Sequence, residues 1–286
     1  FDFVETAQRV NAETIIAENV PNLLRMSGGK VFQEVLQTFV KAGYPYISWR
    51  TLNARNFELP HQRRRVFLVA SKEEGLPRSL HRPIPVNGHL SKKSRKKVDS
   101  FYWTAGSQSI CYSKGFIPTL KVGSSISIPS PPAVFYENVV RPLSSDEALR
   151  LQGFNPESFE EIQANDVFRL AGNAVALPVG NFVVDGVIKK RTPKDIPFVE
   201  RQREIWEEEY NSDDQDGMFV GGEFKTVRHR QKREIATNLS DFIDWKSKDV
   251  LSSRAAGGLL RRLERSGLPC PEDLRSSLAE HAVQNA

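Results

Sequence analysis

Cysteine is nearly absent: only Cys111 and Cys270 occur among 286 residues. Two distant thiols build no disulfide framework, and they lack the short spacing of a zinc site, so no metal centre is expected. No apolar run approaches the ~20 residues that a membrane span requires. The N-terminus carries no secretory leader pattern. Together these absences predict a protein of a reducing compartment, the cytoplasm. The chain begins with Phe1 rather than Met, so the expectation is that it starts inside something longer or was trimmed.

What is present is a globular balance. Hydrophobic residues make up 39% and charged residues 26%, enough for a core in one large or two ordinary domains. The net charge of +5 is by itself a weak pointer to a nucleic-acid partner. Its distribution says more. Lys72–Asp99 holds 8 basic and 3 acidic residues, residues 191–222 hold 4 and 9, and residues 223–286 hold 12 and 9. The basic excess is concentrated in one segment and set against an acidic one.

Residues 1–71 alternate helix and strand signals. Phe1–Arg9 reads as the end of a helix, and Thr14–Ala17 as a buried strand. Val31, Val35, Leu36, Phe39 and Val40 recur at helical spacing, with Gly43 as the stop. Tyr46–Leu52 and Val66–Ala70 read as strands. This β-α-β rhythm predicts an α/β sheet. Residues 72–140 are rich in Ser, Pro, Gly and Lys and predict a small, mostly β domain, with Ser125–Ile128 as one strand-like piece. Helices return over 141–190: Ser144 and Glu147 have capping-box spacing, Gly153 ends that helix, and Leu177–Lys190 forms another. Residues 191–222 read as an acidic linker. Residues 223–286 read as a small helical tail with one or two amphipathic helices after Leu251.

Four motifs carry chemistry. Ala17-Glu18-Asn19-Val20 puts a carboxylate at the end of a sheet strand, where α/β proteins place their sites; a solvated turn glutamate is the plainer reading. Pro60-His61-Gln62-Arg63-Arg64-Arg65 runs into a strand. Alternation puts Arg63 and Arg65 on one face, suited to a phosphate or carboxylate; a basic edge that discourages aggregation is the plainer reading. The third motif is Arg141-Pro142-Leu143-Ser144, then Glu147, then Arg150-Leu151-Gln152-Gly153-Phe154. The fourth is Leu170-Ala171-Gly172-Asn173-Ala174-Val175, a Gly-Asn turn opening a helix, whose N–H groups can be offered to an anionic ligand.

In this order the motifs resemble the C-terminal half of the DNA cytosine-5 methyltransferases, over about residues 1–190. His61 departs from the family pattern, which has Gln there, while Arg63 and Arg65 match. The resemblance implies an incomplete Rossmann-like S-adenosylmethionine-dependent domain in segments 1–71 and 141–190, with a smaller, mostly β target-recognition domain in 72–140. It also implies the chemistry. A cysteine thiolate adds to carbon 6 of a flipped cytosine, and carbon 5 takes methyl from S-adenosylmethionine. Glu18 matches the group that protonates or hydrogen-bonds ring nitrogen 3, and Asn19 shapes the turn. Arg65 matches the arginine that orients the glutamate, and Arg63 one directed at the DNA backbone. Gly172, Asn173 and Ala174 match the segment beside the cofactor. Lys92, Lys93, Arg95 and Lys96 form a basic cluster suited to phosphates, with a solvated charged loop as the plainer reading. Thr119 belongs to a Thr-Leu pair found late in such recognition domains.

The family's nucleophile lies in a Pro-Cys motif upstream of Glu-Asn-Val, and the resemblance implies that it and the glycine-rich cofactor loop precede this chain. Pro269-Cys270-Pro271 looks superficially like the motif, but Phe219-Val220-Gly221-Gly222 before it lacks the glycine spacing of a cofactor loop. Two readings follow. One is a portion of a cytosine-5 methyltransferase acting on double-stranded DNA, completed by an upstream polypeptide. The other is a non-catalytic DNA-recognition subunit of a split methyltransferase. The tail match around Leu251–Arg262 is weaker, and assigns Arg261, Arg262 and Arg265 either to DNA contacts or to packing.

Overall fold

The computed structural model describes residues 2–85, 96–102, 109–121, 132–196, 198–199, 216–220, 223–227, 229, 237–247 and 249–283. In chain order the elements are α1 (Asp2–Arg9), β1 (Thr14–Asn19), α2 (Lys30–Lys41), β2 (Tyr46–Asn53) and β3 (Arg64–Ser71). Then come β4 (Asp99–Phe101), β5 (Ser113–Lys114), β6 (Ala133–Tyr136), β7 (Val139–Pro142), α3 (Ser145–Leu151) and α4 (Ala164–Asn173). The last are α5 (Leu177–Ile188), β8 (Phe198–Val199), β9 (Asp216–Val220), β10 (Glu223–Val227), α6 (Ser253–Ser266) and α7 (Glu272–Val283). The fold is mixed α/β, in two compact units: residues 1–56, 64–86 and 178–234 form one, and residues 57–63, 87–177 and 235–286 the other. Among the described residues no single helix is long and apolar enough to cross a membrane.

The first unit holds a six-stranded sheet in the order β1-β3-β2-β9-β10-β8. β1 and β2 each pair antiparallel with β3, so they run the same way with β3 between them. The β-α-β rhythm is therefore real, but its two strands are not neighbours. β3 is a continuous apolar run, Val66 to Ala70, and all five residues are buried, as befits a strand covered on both faces. Phe32, Leu36 and Phe39 lie one helical turn apart on α2 and are buried in the cluster that contains Trp49 and Leu68. The Phe32 and Trp49 rings meet edge to face at 5.2 Å.

The acidic segment departs from its expected role as a linker. Within it, β9 pairs with β2 through Ile47↔Phe219 and Trp49↔Gly217, and β10 continues the hairpin where a helical tail was expected. Met218 is buried, and a Cβ at position 217 would fall 2.3 Å from the Trp49 ring, so only glycine lets the indole lie across this strand.

The aspartate that opens β9 is buried in a polar cluster. Asp216 Oδ1 accepts from the Thr51 backbone N–H at 2.6 Å, and Oδ2 lies 3.3 Å from His229 Nε2. Arg50 donates to the carbonyls of Leu80 and Arg82, and burial pulls its pKa down to about 10 against the pull of Asp216. His81 Nε2 sits 3.2 Å from the Gly217 carbonyl and Nδ1 3.1 Å from His229 Nε2. These contacts assign the proton to Nε2 and leave Nδ1 as acceptor. Burial, then the nearby charges of His229, Arg50 and Arg78, hold His81 well below its ordinary 6.5, against the hydrogen bond to Gly217. The folded ring thus binds protons less readily than the unfolded one. Its contribution to stability is full above pH 6.5 and is lost as pH falls below that value. We expect the thermal midpoint to fall between pH 6.5 and roughly pH 5, above the range where exposed carboxylates titrate, and His81→Gln to flatten that fall. Equal slopes for both proteins in circular dichroism melts would trace the fall to other groups.

The second unit holds a four-stranded antiparallel sheet, β5-β4-β6-β7. Successive residues of β6 point to opposite faces. Ala133 and Phe135 pack with Leu259, Leu263, Leu274 and Leu278 of α6 and α7, while Val134 and Tyr136 pack with Ala148, Leu151 and Ala171 of α3 and α4. This corrects two boundaries. α6 and α7 are a layer of the second unit rather than a separate tail, and α3 and α4 join that unit while α5 belongs mainly to the first. Ser125–Ile128 lies outside the described residues.

Candidate active site and DNA-facing residues

β1 extends through Glu18 and Asn19, and its register with β3 sets Glu18 opposite Phe67. Arg65, two residues before Phe67, is the diagonal neighbour, within reach of a long side chain. Arg65 Nε lies 2.9 Å from Glu18 Oε1, with the two side chains 16% and 27% exposed. Arg65 Nη1 also donates to the Arg64 carbonyl at 2.8 Å. Burial lowers the Arg65 pKa, and Glu18 opposes that. One carboxylate oxygen is therefore held and shielded, and the other makes no hydrogen bond among the described residues. Asn19 Oδ1 accepts from the Val20 N–H at 2.8 Å, fixing the turn out of the strand. Glu18 and Asn19 are the polar residues lining an otherwise apolar cavity of about 320 Å³, walled by Phe3, Val4, Val35 and Phe39.

Arg63 behaves differently from the expectation. β3 starts only at Arg64, and Arg63 groups with the second unit. It is 3% exposed and donates to the carbonyls of Leu120 (3.3 Å), Gly172 (3.1 Å) and Ala174 (2.7 Å). The guanidinium thus ties these chain segments together and leaves little surface for a phosphate. His61, where the family pattern has Gln, is fully buried; its Nε2 accepts from the Leu120 N–H at 3.0 Å. It thereby fastens the same loop.

The Gly172-Asn173-Ala174 segment is also corrected in part. It ends α4 rather than opening a helix, and α5 starts only at Leu177. It thus presents carbonyls, two of them taken by Arg63, and not a row of free N–H groups. Of the three residues, Asn173 alone is exposed, and its amide makes no hydrogen bond among the described residues.

Thr119 is half-buried. Its hydroxyl donates to the Gln62 carbonyl, and its own carbonyl accepts from Tyr102 at 2.6 Å. Lys96 is 3.2 Å from Glu137 and stands over the Trp245 ring at 4.7 Å. Lys92, Lys93 and Arg95 lie outside the described residues.

One feature of the third motif escaped the sequence reading. Arg141 and Glu147 are both 0% exposed and form a bidentate pair at 2.6 and 2.9 Å. Glu147 completes the capping box by accepting from Ser144 N, and also accepts from Asp244 N at 2.7 Å. Only the capping-box spacing was visible beforehand.

The family of C-5 cytosine-specific DNA methylases matches residues 1–100 and 77–189. Type II methyltransferase M2.BsuMI of Bacillus subtilis (strain 168) is 33% identical over 198 residues, 64% of this chain and 50% of that protein. Type II methyltransferase M.NgoBI of Neisseria gonorrhoeae is 29% identical over 63% of this chain and 62% of its own length. Type II methyltransferase M.HaeII of Haemophilus aegyptius is 29% identical, over 62% and 61%. The chain thus spans between half and about three-fifths of the length of these relatives. Among solved structures, S. pombe Dnmt2 methyltransferase aligns with a TM-score of 0.41 at 16% identity, covering 63% of this chain and 66% of that one. With the matched segments running from residue 1 to residue 189, the chain belongs to the C-5 cytosine-specific DNA methylase family.

Proposed function

We propose that this chain carries the carboxylate-and-arginine part of the active site, and the DNA-reading part, of a DNA cytosine-5 methyltransferase. The Glu18–Arg65 pair at the end of β1 carries the reading. Adding a thiolate to carbon 6 of a flipped cytosine forms an S–C bond and pushes electron density onto the ring and carbon 5. Glu18 offers ring nitrogen 3 a proton or hydrogen bond as that charge develops. Arg65 holds one carboxylate oxygen and leaves the other for the base. S-adenosylmethionine, when bound, supplies the methyl group. Asn173 is the residue of its segment that fits a cofactor contact, because its amide is exposed and uncommitted. Water then takes the proton from methylated carbon 5, and the electron pair left behind re-forms the ring double bond and expels the thiolate from carbon 6.

The thiolate in this proposal comes from a polypeptide outside residues 1–286. Cys270 suits the role poorly: it packs against the α6–α7 core, and burial pushes its thiol pKa up, whereas nucleophilic thiols are shifted down. Two features support a docked polypeptide. β1 ends the sheet, with no strand on its outer edge among the described residues. The cavity beside it is apolar and includes Phe3, 53% exposed. An unprotected edge flanked by apolar surface suits a paired strand. The purified chain with labelled S-adenosylmethionine should methylate no duplex. Joined to a polypeptide bearing a glycine-rich loop and a Pro-Cys motif, it should form 5-methylcytosine. Methylation by the chain alone, abolished by Cys270→Ser, would refute the division of labour.

A further inference from the structure

α6 carries four arginines against one glutamate. Its inner face is fixed: Ala256, Leu259 and Leu263 are buried in the cluster that contains Phe101, Phe135 and Val140 of the sheet. At 3.6 residues per turn, Arg254, Arg261 and Arg265 fall together on the opposite face, and all three are exposed. None of them makes an ion pair or a side-chain hydrogen bond among the described residues.

The surface between these arginines is built of glycine and crossed by the Arg261 side chain. Gly257 and Gly258 occupy it, with the Arg261 guanidinium lying 3.4 Å from a Cβ built on the first and 3.9 Å from one built on the second. The glycines add no side chain of their own, so the guanidinium is what an incoming group meets there. The arginines are spaced by about 10 Å and then about 6 Å along the helix axis, at ~1.5 Å per residue, a line of charge rather than a cluster. At the flank, Arg262 has Nε and Nη2 shielded from water with no acceptor among the described residues. A donor in that state is costly, and an incoming anion would give it an acceptor. The helix itself is firmly built, capped by Ser252 at its start and by Gly267 in the left-handed conformation at its end.

We propose that the outer face of α6 binds the phosphate backbone of duplex DNA, as a contact that holds the duplex without reading its sequence. The identity of the polyanion rests on the methyltransferase reading above. A line of exposed guanidinium groups on one face of a capped helix, without an ion pair among the described residues, matches the continuous charge of a phosphate backbone better than the scattered carboxylates of a protein surface.

The test uses the full 286-residue chain and short fluorescein-labelled duplexes of several unrelated sequences, with anisotropy titrations at 50–200 mM salt. The triple variant Arg254→Gln, Arg261→Gln, Arg265→Gln should make the slope of log affinity against log salt shallower by about 2.7 on every duplex. That corresponds to a loss of affinity across this salt range about 40-fold smaller than in the wild type. Gly258→Glu should flatten the slope by about one unit. Glutamate is the better helix former, so its effect would not come from unfolding. If wild type binds and the triple variant keeps its slope, the α6 assignment falls and the DNA reading stands. If the slope changes on one sequence only, the contact is to bases and the backbone assignment falls. If wild type binds no duplex, both readings fall.

Discussion

Glu18→Ala in the completed enzyme should lower methyl transfer by about 10²–10⁴-fold, the span that a positioned proton donor contributes, and leave duplex binding largely intact. The split follows from geometry. Among the described residues Glu18 pairs with no basic group but Arg65, and in the proposed reaction its remaining oxygen meets the base. Arg65→Ala should lower the rate as well, because the carboxyl loses its fixed orientation, but less than the loss of the carboxyl itself. Glu18→Gln separates the two parts of the role. The amide keeps an N–H donor but delivers no proton, so partial rescue relative to alanine would identify a hydrogen bond as the need. The measurements are single-turnover methylation and binding to the same duplex. Equal loss of rate and binding in Glu18→Ala would show that the residue merely holds β1 against β3.

Glu147→Ala should destabilise the chain by about 3–5 kcal/mol, the cost of stranding one member of a buried pair. Arg141 is wholly buried and donates two of its hydrogen bonds to Glu147. The same carboxylate also satisfies the N–H groups of Ser144 and Asp244. One deletion therefore orphans a charge and two backbone donors. An unfolding midpoint in urea should shift accordingly, read from tryptophan fluorescence with Trp245 meeting Tyr136 edge to face at 4.9 Å as a local reporter. Arg141→Met with Glu147→Leu should recover much of the loss, because an apolar pair leaves no stranded charge. A double variant as unstable as the single one would place the cost in the backbone caps rather than the ion pair.

The elements were legible where local pattern decides them. β1, α2, β2 and β3 sit where alternation, helical spacing and Gly43 put them, and Gly43 has the positive φ of a helix stop. The Glu18 and Arg65 positions were legible too, through their motifs, although only the β1–β3 register explains how side chains 47 positions apart come to touch. Three things were not legible. Arg63 is held by carbonyl oxygens 57, 109 and 111 residues away, and a backbone carbonyl has no sequence signature. β9 was hidden because its apolar Met218-Phe219-Val220 follows a run of acidic residues, while the charge of Asp216 is answered by Arg50 and His229 from distant elements. The packing of α6 and α7 was hidden because amphipathic spacing gives the apolar face of a helix but not the surface that receives it.

The sheet of β4 to β7 is covered on both faces, by α6 and α7 on one and α3 and α4 on the other. β4 and β6 are buried along their whole length between these layers. On the methyltransferase reading proposed above, the residues that select a target lie outside these two strands, so what keeps the unit folded is separate from what it discriminates.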